Sequence, residues 1–281
     1  MILNELMQLL PRKIFAIEML LVFEDIKPVC RIEIEDKTLD KLTAFCRTNN
    51  LALITSDFKF VKTQDGKAMM MPTNSPLKGG FFVYISKQKT DAIKAKDAEV
   101  ALDHKTFGEL LGYPACCIDF FIKHYEEAAK MHDDYTLLTL KNSESLDWRL
   151  NISLNFFDYR LISHFPHSFN CQESIALSQK ILDVLTKHNP DLARKTKEEL
   201  CTVIIYDDET GVHVIKNTKT EQNTIHYTDV MLTSPNRIFT LLKMSNKIKI
   251  ITRKVKMTKI RMNTELRNKL FNKIKNVFEN E

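Results

Sequence analysis

Residues 29–34 read VCRIEI, an alternation of apolar and polar side chains that predicts a strand with one buried face. The next segment, 38–48, places Leu39, Leu42 and Phe45 at helical spacing. On the amino-terminal side, two apolar runs within 3–23 are separated by Pro11, which predicts a pair of helices. On the other side, strand patterns occur at 51–61 and 79–86, with a turn-rich loop over 63–78 between them. The first 87 residues therefore predict a mixed α/β layer.

The middle of the chain, residues 88–200, has the apolar spacing of helices. We expect helices at 91–102 and 105–111, and Gly112 suits the position just past the end of the second one. Pro114 is expected to be the first residue of another helix, which runs to about residue 130. The remaining helices of this region are predicted at 146–163 and at 172–188.

From residue 201 to 281 the pattern changes to short strands. The segments 202–206 and 212–217 flank a five-residue loop with a glycine near its end, which predicts a hairpin. Further strands are predicted at 224–232, 247–251 and 255–260, with a short helix after Pro235 and a terminal helix at 264–278. The three regions, 1–87, 88–200 and 201–281, predict an α+β protein with a mixed layer, a helical centre and a β-rich end.

The composition is that of a globular protein, and the N-terminal segment predicts a reducing compartment. The 281 residues are 44% apolar and 27% charged, and six glycines form no phosphate-binding motif. The apolar runs before residue 24 are too short to cross a bilayer and follow no basic segment. We therefore expect no membrane span and a cytoplasmic location, where the six cysteines stay reduced and do not form disulfides.

The first chemical motif is GYPACCIDFF at residues 112–121. If Pro114 is the first helical residue, Cys116 and Cys117 lie in the first turn, where the backbone N–H groups have no partner within the helix. The helix dipole favours negative charge there, so a thiol is shifted toward the thiolate that binds metals or attacks electrophiles.

The second motif is SHFPHSFNCQE at residues 163–173. Asn170 is a good helix cap, which places Cys171 in the first turn of the next helix and leaves His164 and His167 on the loop before it. The two motifs thus present cysteines at two helix N-termini. Together they supply five candidate metal ligands: Cys116, Cys117, His164, His167 and Cys171.

Three sulfurs and two imidazoles suit a zinc ion, which takes four such ligands, and sets of thiolates also hold iron–sulfur clusters. Two other interpretations stay open. Cysteine is among the most buried residue types, so these cysteines could be core residues, as Cys30, Cys46 and Cys201 are predicted to be. They could also form a reactive thiol site without a metal. The motifs do not identify a reaction.

The strings LGYPxCCxxFF, from Leu111, and HFPxSFxC, from His164, resemble an uncharacterised, largely archaeal family catalogued as domain of unknown function 483. The resemblance covers two short motifs within about residues 80–200. It implies a cysteine at the position of His167, hence a set of four cysteines that suits an iron–sulfur cluster. With His167 in that place, the resemblance implies zinc or a histidine-ligated cluster instead.

The C-terminal region is strongly basic. Residues 237–275 hold thirteen lysines and arginines against one acidic residue, Glu265, and the positive side chains alternate with apolar ones. Such a strand face either binds the phosphates of a nucleic acid or is simply solvated. The predicted nucleic-acid contacts are Lys247, Lys249, Arg253, Lys254, Lys256, Lys259 and Arg261, which we call the basic C-terminal set.

Three functions follow from these features. The first is a metal- or iron–sulfur-binding protein, with an enzymatic version that acts on a nucleic acid or a small molecule through an open coordination position. The second is a nucleic-acid-binding module in which zinc is only structural. The third is a metal-free scaffold protein with core cysteines.

Overall fold

A computed structural model describes residues 2–62, 68–129, 134–207, 211–222, 224–232 and 237–249. It confirms the α+β class, because helices accompany three sheets whose described strand pairs are all antiparallel. The main core draws on all three predicted regions, for example Leu20, Ile32, Ile181 and Val214. The division into three regions stays a prediction. No helix among the described residues is long and apolar enough to span a bilayer.

The N-terminal elements agree with the sequence pattern in kind and order except within residues 51–78. They are α1 (Ile2–Leu9), α2 (Lys13–Phe23), β1 (Val29–Glu35), α3 (Asp36–Thr48), β2 (Ala52–Thr55), β3 (Phe58–Lys62), β4 (Ala68–Pro72) and β5 (Gly80–Ser86). The sheet order is β1-β5-β3-β4, and β2 also pairs with β5. In the β1–β5 pair the register runs from Val29 opposite Ser86 to Glu35 opposite Gly80.

Two predictions in this region are wrong. The expected strand at 51–61 is broken into β2 and β3, because the Ser56 hydroxyl donates to Phe58 O at 2.6 Å and accepts from Phe82 N at 3.3 Å. A serine that bonds to the backbone in this way competes with the regular ladder. The expected loop at 63–78 contains β4, which pairs with β3.

The sheet lies between two helical layers. Cys30, Ile32 and Ile34 of β1 point toward the α1–α2 side and join the main core. On the other face, Arg31 forms an ion pair with Glu99 of α4 (Lys89–Val100) at 2.7 Å. The alternation of VCRIEI thus separates a core face from a polar face that a second helix covers.

The central region is helical, as predicted. After α4 come α5 (His104–Leu110), α6 (Ala115–Lys123), α7 (Tyr125–Ala129), α8 (Thr136–Lys141), α9 (Gln172–His188) and α10 (Pro190–Leu200). The expected helix from 114 to 130 is therefore two helices. They meet at His124, which leaves helical geometry and pairs with Glu127 at 2.9 Å.

The helix predicted at 146–163 is wrong. The chain forms two 3-10 segments, Trp148–Leu150 and Ile152–Phe157. Asp147 caps the first by accepting a bond from Arg149 N. The second ends at Asp158, whose φ of 62° is left-handed and whose carboxylate accepts from Arg12 Nε at 2.6 Å. The sequence pattern also missed α10, because Pro190 starts that helix instead of ending the one before it.

The C-terminal region forms two three-stranded sheets, β10-β7-β6 and β11-β9-β8. Their elements are β6 (Val203–Asp207), β7 (Gly211–Lys216), β8 (Lys219–Glu221), β9 (Thr224–His226), β10 (Asp229–Leu232), α11 (Arg237–Lys243) and β11 (Lys247–Lys249). The predicted hairpin is confirmed by the pairing of β6 with β7. The expected strand at 224–232 is two strands that belong to different sheets. The elements predicted at 255–260 and 264–278 lie outside the described residues.

Candidate metal centre

The first motif follows a helix end that glycine allows. Gly112 has φ of +72°, a left-handed conformation that other residues adopt at a cost, and it follows the end of α5. Pro114 is the N-cap residue of α6 rather than its first residue. Cys116 and Cys117 are therefore the second and third helical residues, in the first turn as expected. Their sulfurs lie 3.8 Å apart.

The second motif supplies Cys171 from the start of α9. Cys171 itself is the N-cap, one position later than the predicted cap Asn170, and its sulfur accepts a bond from Ser174 N at 3.4 Å. His164 and His167 lie in the loop before the helix, as predicted.

Side chains of α8 and the residues after it fix the loop that carries His167. Thr139 donates to Pro166 O at 2.8 Å, and Asn142 donates to His167 O at 2.8 Å. The Ser143 hydroxyl accepts from Phe169 N at 2.7 Å. The sequence pattern did not indicate these supports. All three supports are short polar side chains in α8 or just after it, and the sequence pattern did not predict that helix.

The structure brings four of the five predicted ligands together. One ligand atom from each of Cys116, Cys117, His167 and Cys171 lies within 4.8 Å of the other three. Cys171 Sγ lies 3.7 Å from each of the other two sulfurs. His167 Nδ1 lies 3.6 Å from Cys117 Sγ. This Cys3His group could hold a metal ion.

His164, the fifth predicted residue, is not part of this group. It is 7% exposed, and its Nε2 lies 2.8 Å from the Ser174 hydroxyl. That hydroxyl lies 3.3 Å from Cys117 Sγ. His164 therefore contacts the group through Ser174. Burial, with the nearby charge of Lys27, lowers the pKa of His164 to about 3, so its ring is neutral.

The three sulfurs interact strongly with one another. Burial and the neighbouring Cys171 raise the pKa of Cys116 to about 11. The hydrogen bond with Cys171, together with burial, raises the pKa of Cys117 well above its usual range. Bonds from Cys117 and Ser174 lower the pKa of Cys171 to about 4. The expected shift toward the thiolate thus occurs at Cys171 alone, because the other two thiols are buried beside it. A divalent cation between the sulfurs would favour ionisation of all three.

The remaining cysteines fit the core interpretation with one exception. Cys30 and Cys46 are buried, as predicted. Cys201 is exposed, so the expectation for it is wrong, and the reason is that it follows the end of α10 at the surface.

Two members of the basic C-terminal set are described. Lys247 and Lys249 of β11 are exposed on either side of the buried Ile248, as the alternation predicts. Arg253, Lys254, Lys256, Lys259 and Arg261 lie outside the described residues. Nucleic-acid binding by this set stays a prediction.

No protein-family model, no curated protein and no solved structure matches this chain. The resemblance to domain of unknown function 483 also stays a prediction.

Proposed function

We propose that this chain is a zinc protein in which Cys116, Cys117, His167 and Cys171 bind one ion, and that the ion is structural. The observation that carries the proposal is the spacing of the ligand atoms. Three sulfur pairs lie 3.7 to 3.8 Å apart, and the nitrogen of His167 lies 3.6 Å from the sulfur of Cys117.

These four distances match four of the six edges of a zinc tetrahedron, and the other two, from His167 to Cys116 and to Cys171, lie within 4.8 Å. An edge of a regular tetrahedron is about 1.63 times the distance from its centre to a corner, so Zn–S bonds of about 2.3 Å place two sulfurs about 3.8 Å apart. One Zn–N bond of about 2.0 Å and one Zn–S bond give a nitrogen-to-sulfur edge of about 3.5 Å. The observed pairs agree with both values within about 0.1 Å.

The same spacing favours a single ion over an iron–sulfur cluster. In an iron–sulfur cluster at most two cysteine thiolates bind the same iron, because inorganic sulfide fills the other positions, so three cysteine sulfurs are not all in contact with one another. Here all three sulfurs are in mutual contact. The metal-free alternative with core cysteines is less consistent, because His167 adds a polar nitrogen to the same cluster.

A structural role follows from the number of ligands. Four protein ligands fill a tetrahedron, whereas catalytic zinc keeps one position for water or substrate. Two ligands come from the start of α6, and the other two come from the start of α9 and the loop just before it. The two groups are about fifty residues apart in the chain. The ion would therefore join the start of α6 to the start of α9 and to the loop before it.

Hydrogen bonds to the sulfurs support the metal-bound state. Cys117 Sγ accepts from His167 N at 3.4 Å, and Cys171 Sγ accepts from Ser174 N at 3.4 Å. Donors of this kind offset the excess negative charge that three thiolates place around one dication.

Metal analysis of the full chain, purified without a metal-binding tag, tests the proposal. We expect one zinc per chain in the native protein and in Cys201→Ser, because Cys201 is exposed and is not part of the Cys3His group. Cys171→Ser and His167→Ala are expected to lose most of it. Folded native protein without metal would contradict the proposal, and so would a full equivalent of zinc in Cys171→Ser.

A further inference from the structure

A cavity of about 520 Å³ lies beside the candidate metal centre. Cys117 and His164 form part of its wall, together with Glu18 of α2 and Arg160. Its volume is within the range of small-molecule sites, which is about 300–1,000 Å³. Of the Cys3His group only Cys117 lines it, so the cavity adjoins the metal centre and does not enclose it.

The positive charge of the inner wall is local to Arg160, which lines the cavity and shares the carboxylate of Glu18 with Lys27, a residue behind the wall. Glu18 accepts from Lys27 at 2.6 Å and lies 3.4 Å from Arg160. These two cations face one carboxylate. The side chain of Lys27 is 2% exposed, that of Glu18 is 6% exposed and that of Arg160 is 18% exposed, so water screens the excess charge poorly. An excess of buried positive charge is stabilised by a bound anion.

Over the whole lining the three arginines and three glutamates balance, so the excess charge exists only around Arg160. Arg12 is paired with Asp158, and Arg31 is paired with Glu99. Glu33 also lines the cavity but is only half-buried, where solvent screens its charge.

Two side chains of the wall have a buried nitrogen without a hydrogen-bond partner. They are Arg160, at Nε, and His164, at Nδ1. A buried polar atom of this kind is destabilising unless a partner is supplied. Both side chains line the cavity, so a bound molecule is a possible source of the missing partners.

The chemistry of the His164 nitrogen follows from its contacts, if the thiolates are metal-bound as proposed above. A thiolate only accepts, so the single hydroxyl proton of Ser174 goes to Cys117 Sγ, 3.3 Å away. The Ser174 oxygen then accepts from His164 Nε2, 2.8 Å away. In the neutral ring the other nitrogen, Nδ1, is consequently an acceptor. It requires a donor from the ligand.

Aromatic side chains form the outer wall. The rings of His104 and Tyr125 lie 4.5 Å apart, and those of His104 and Phe121 lie 5.2 Å apart. Tyr125 is 38% exposed and Leu102 is 63% exposed, and both line the cavity. An apolar wall of this kind suits a flat ring.

We infer that this cavity binds a small aromatic acid that also carries a hydroxyl group. The acid group lies toward Arg160, the ring lies against the aromatic wall, and the hydroxyl donates to His164 Nδ1. The acceptor role of His164 rests on the proposed zinc centre. The charge at Arg160 does not depend on it.

Three matched probes test the inference on the zinc-loaded full chain. They are 4-hydroxyphenylacetate, its uncharged amide 4-hydroxyphenylacetamide, and phenylacetate, which lacks the hydroxyl. Dissociation constants come from ligand-observed NMR titrations. We expect the hydroxylated acid to bind at one site, and each of the other two to bind about tenfold more weakly, as expected for one lost charge-assisted or buried hydrogen bond.

Variants assign each preference to its residue. Arg160→Gln is expected to abolish the preference for the acid over the amide, and Arg160→Lys covers the case in which the first variant does not fold. His164→Phe is expected to abolish the preference for the hydroxyl, with His164→Asn as the second variant. Arg194→Gln, in an exposed ion pair with Glu198 on α10, is the matched control and should bind as the native chain does.

The outcomes separate this inference from the zinc proposal, because zinc is measured in the same samples. Zinc-loaded protein that binds none of the probes at millimolar concentration, or all three equally, overturns the inference and leaves the zinc proposal intact. Unchanged affinities in Arg160→Gln also overturn it. Folded protein without metal that retains the preference for the acid supports the cavity and refutes the zinc centre.

Discussion

Replacement of Lys27 by methionine removes the main partner of a buried carboxylate. Lys27 Nζ donates to Glu18 at 2.6 Å and to the Ser163 hydroxyl at 2.6 Å. Burial alone would raise the pKa of Glu18, but the charges of Lys27 and Arg160 more than offset burial and lower it below 4.5. The carboxylate is therefore ionised at neutral pH and depends on these cations.

The expected loss of stability is large. Removing one partner of a buried ion pair typically costs about 3–5 kcal/mol, because the other charge stays buried. Arg160 remains 3.4 Å from Glu18 and compensates part of the charge. We therefore expect Lys27→Met to lower the free energy of unfolding by about 3 kcal/mol, a substantial part of the roughly 5–15 kcal/mol of an ordinary domain.

Urea unfolding followed by the fluorescence of Trp148, the only tryptophan, measures this loss. The matched control is Lys187→Met, whose ion pair with Glu24 has a similar length, 2.7 Å, but whose side chain is 65% exposed. The control substitution should lower the free energy of unfolding by less than about 1 kcal/mol. The double variant Lys27→Met with Glu18→Gln should recover part of the loss, since the buried carboxylate is removed and only Arg160, whose side chain is 18% exposed, is left without its ion pair. A Lys27→Met variant as stable as the control would refute the reasoning.

Three further predictions concern a turn, a histidine and the basic C-terminal set. Gly112→Ala should cost about 1 kcal/mol in urea unfolding, because φ is +72° while an added Cβ meets no atom closer than 3.5 Å; an unchanged midpoint would contradict this. The pKa of His164 is lowered from 6.5 to about 3, so the unfolded chain binds more protons between these values and stability falls as the pH falls through that range. His164→Asn should reduce this slope by up to about 1.4 kcal/mol per pH unit, and parallel slopes would show that His164 is not buried as a neutral ring. Replacing the basic C-terminal set with glutamine should weaken binding to single-stranded RNA and flatten its salt dependence, whereas equal affinities at low salt would exclude these residues from the interface.

The sequence predicted well those features that local pattern controls. The alternation of VCRIEI gave β1, and the apolar spacing before Pro190 gave α9 with its observed ends, Gln172 and His188. Gly112 was expected at a helix end and has the left-handed conformation that such a position needs. The two cysteine motifs predicted a meeting of two helix N-termini, and the sulfur distances confirm that meeting.

Features that depend on distant contacts were not predictable. The segment 146–163 has helical spacing, but Asp158 lies in a left-handed turn and pairs with Arg12, which is 146 residues away in the chain. His164 and His167 could not be ranked as ligands, because both lie in one loop. Their difference arises from Ser174, which contacts His164, and from Asn142, which fixes the backbone of His167.

Zinc-edge X-ray absorption on the native, untagged chain measures the coordination of the ion itself. We expect three sulfur neighbours at about 2.3 Å and one nitrogen neighbour at about 2.0–2.1 Å, with one zinc per chain. Protein that is folded but contains no zinc would contradict this expectation. A spectrum with iron and inorganic sulfide would also contradict it, and would assign Cys116, Cys117, His167 and Cys171 to a cluster instead.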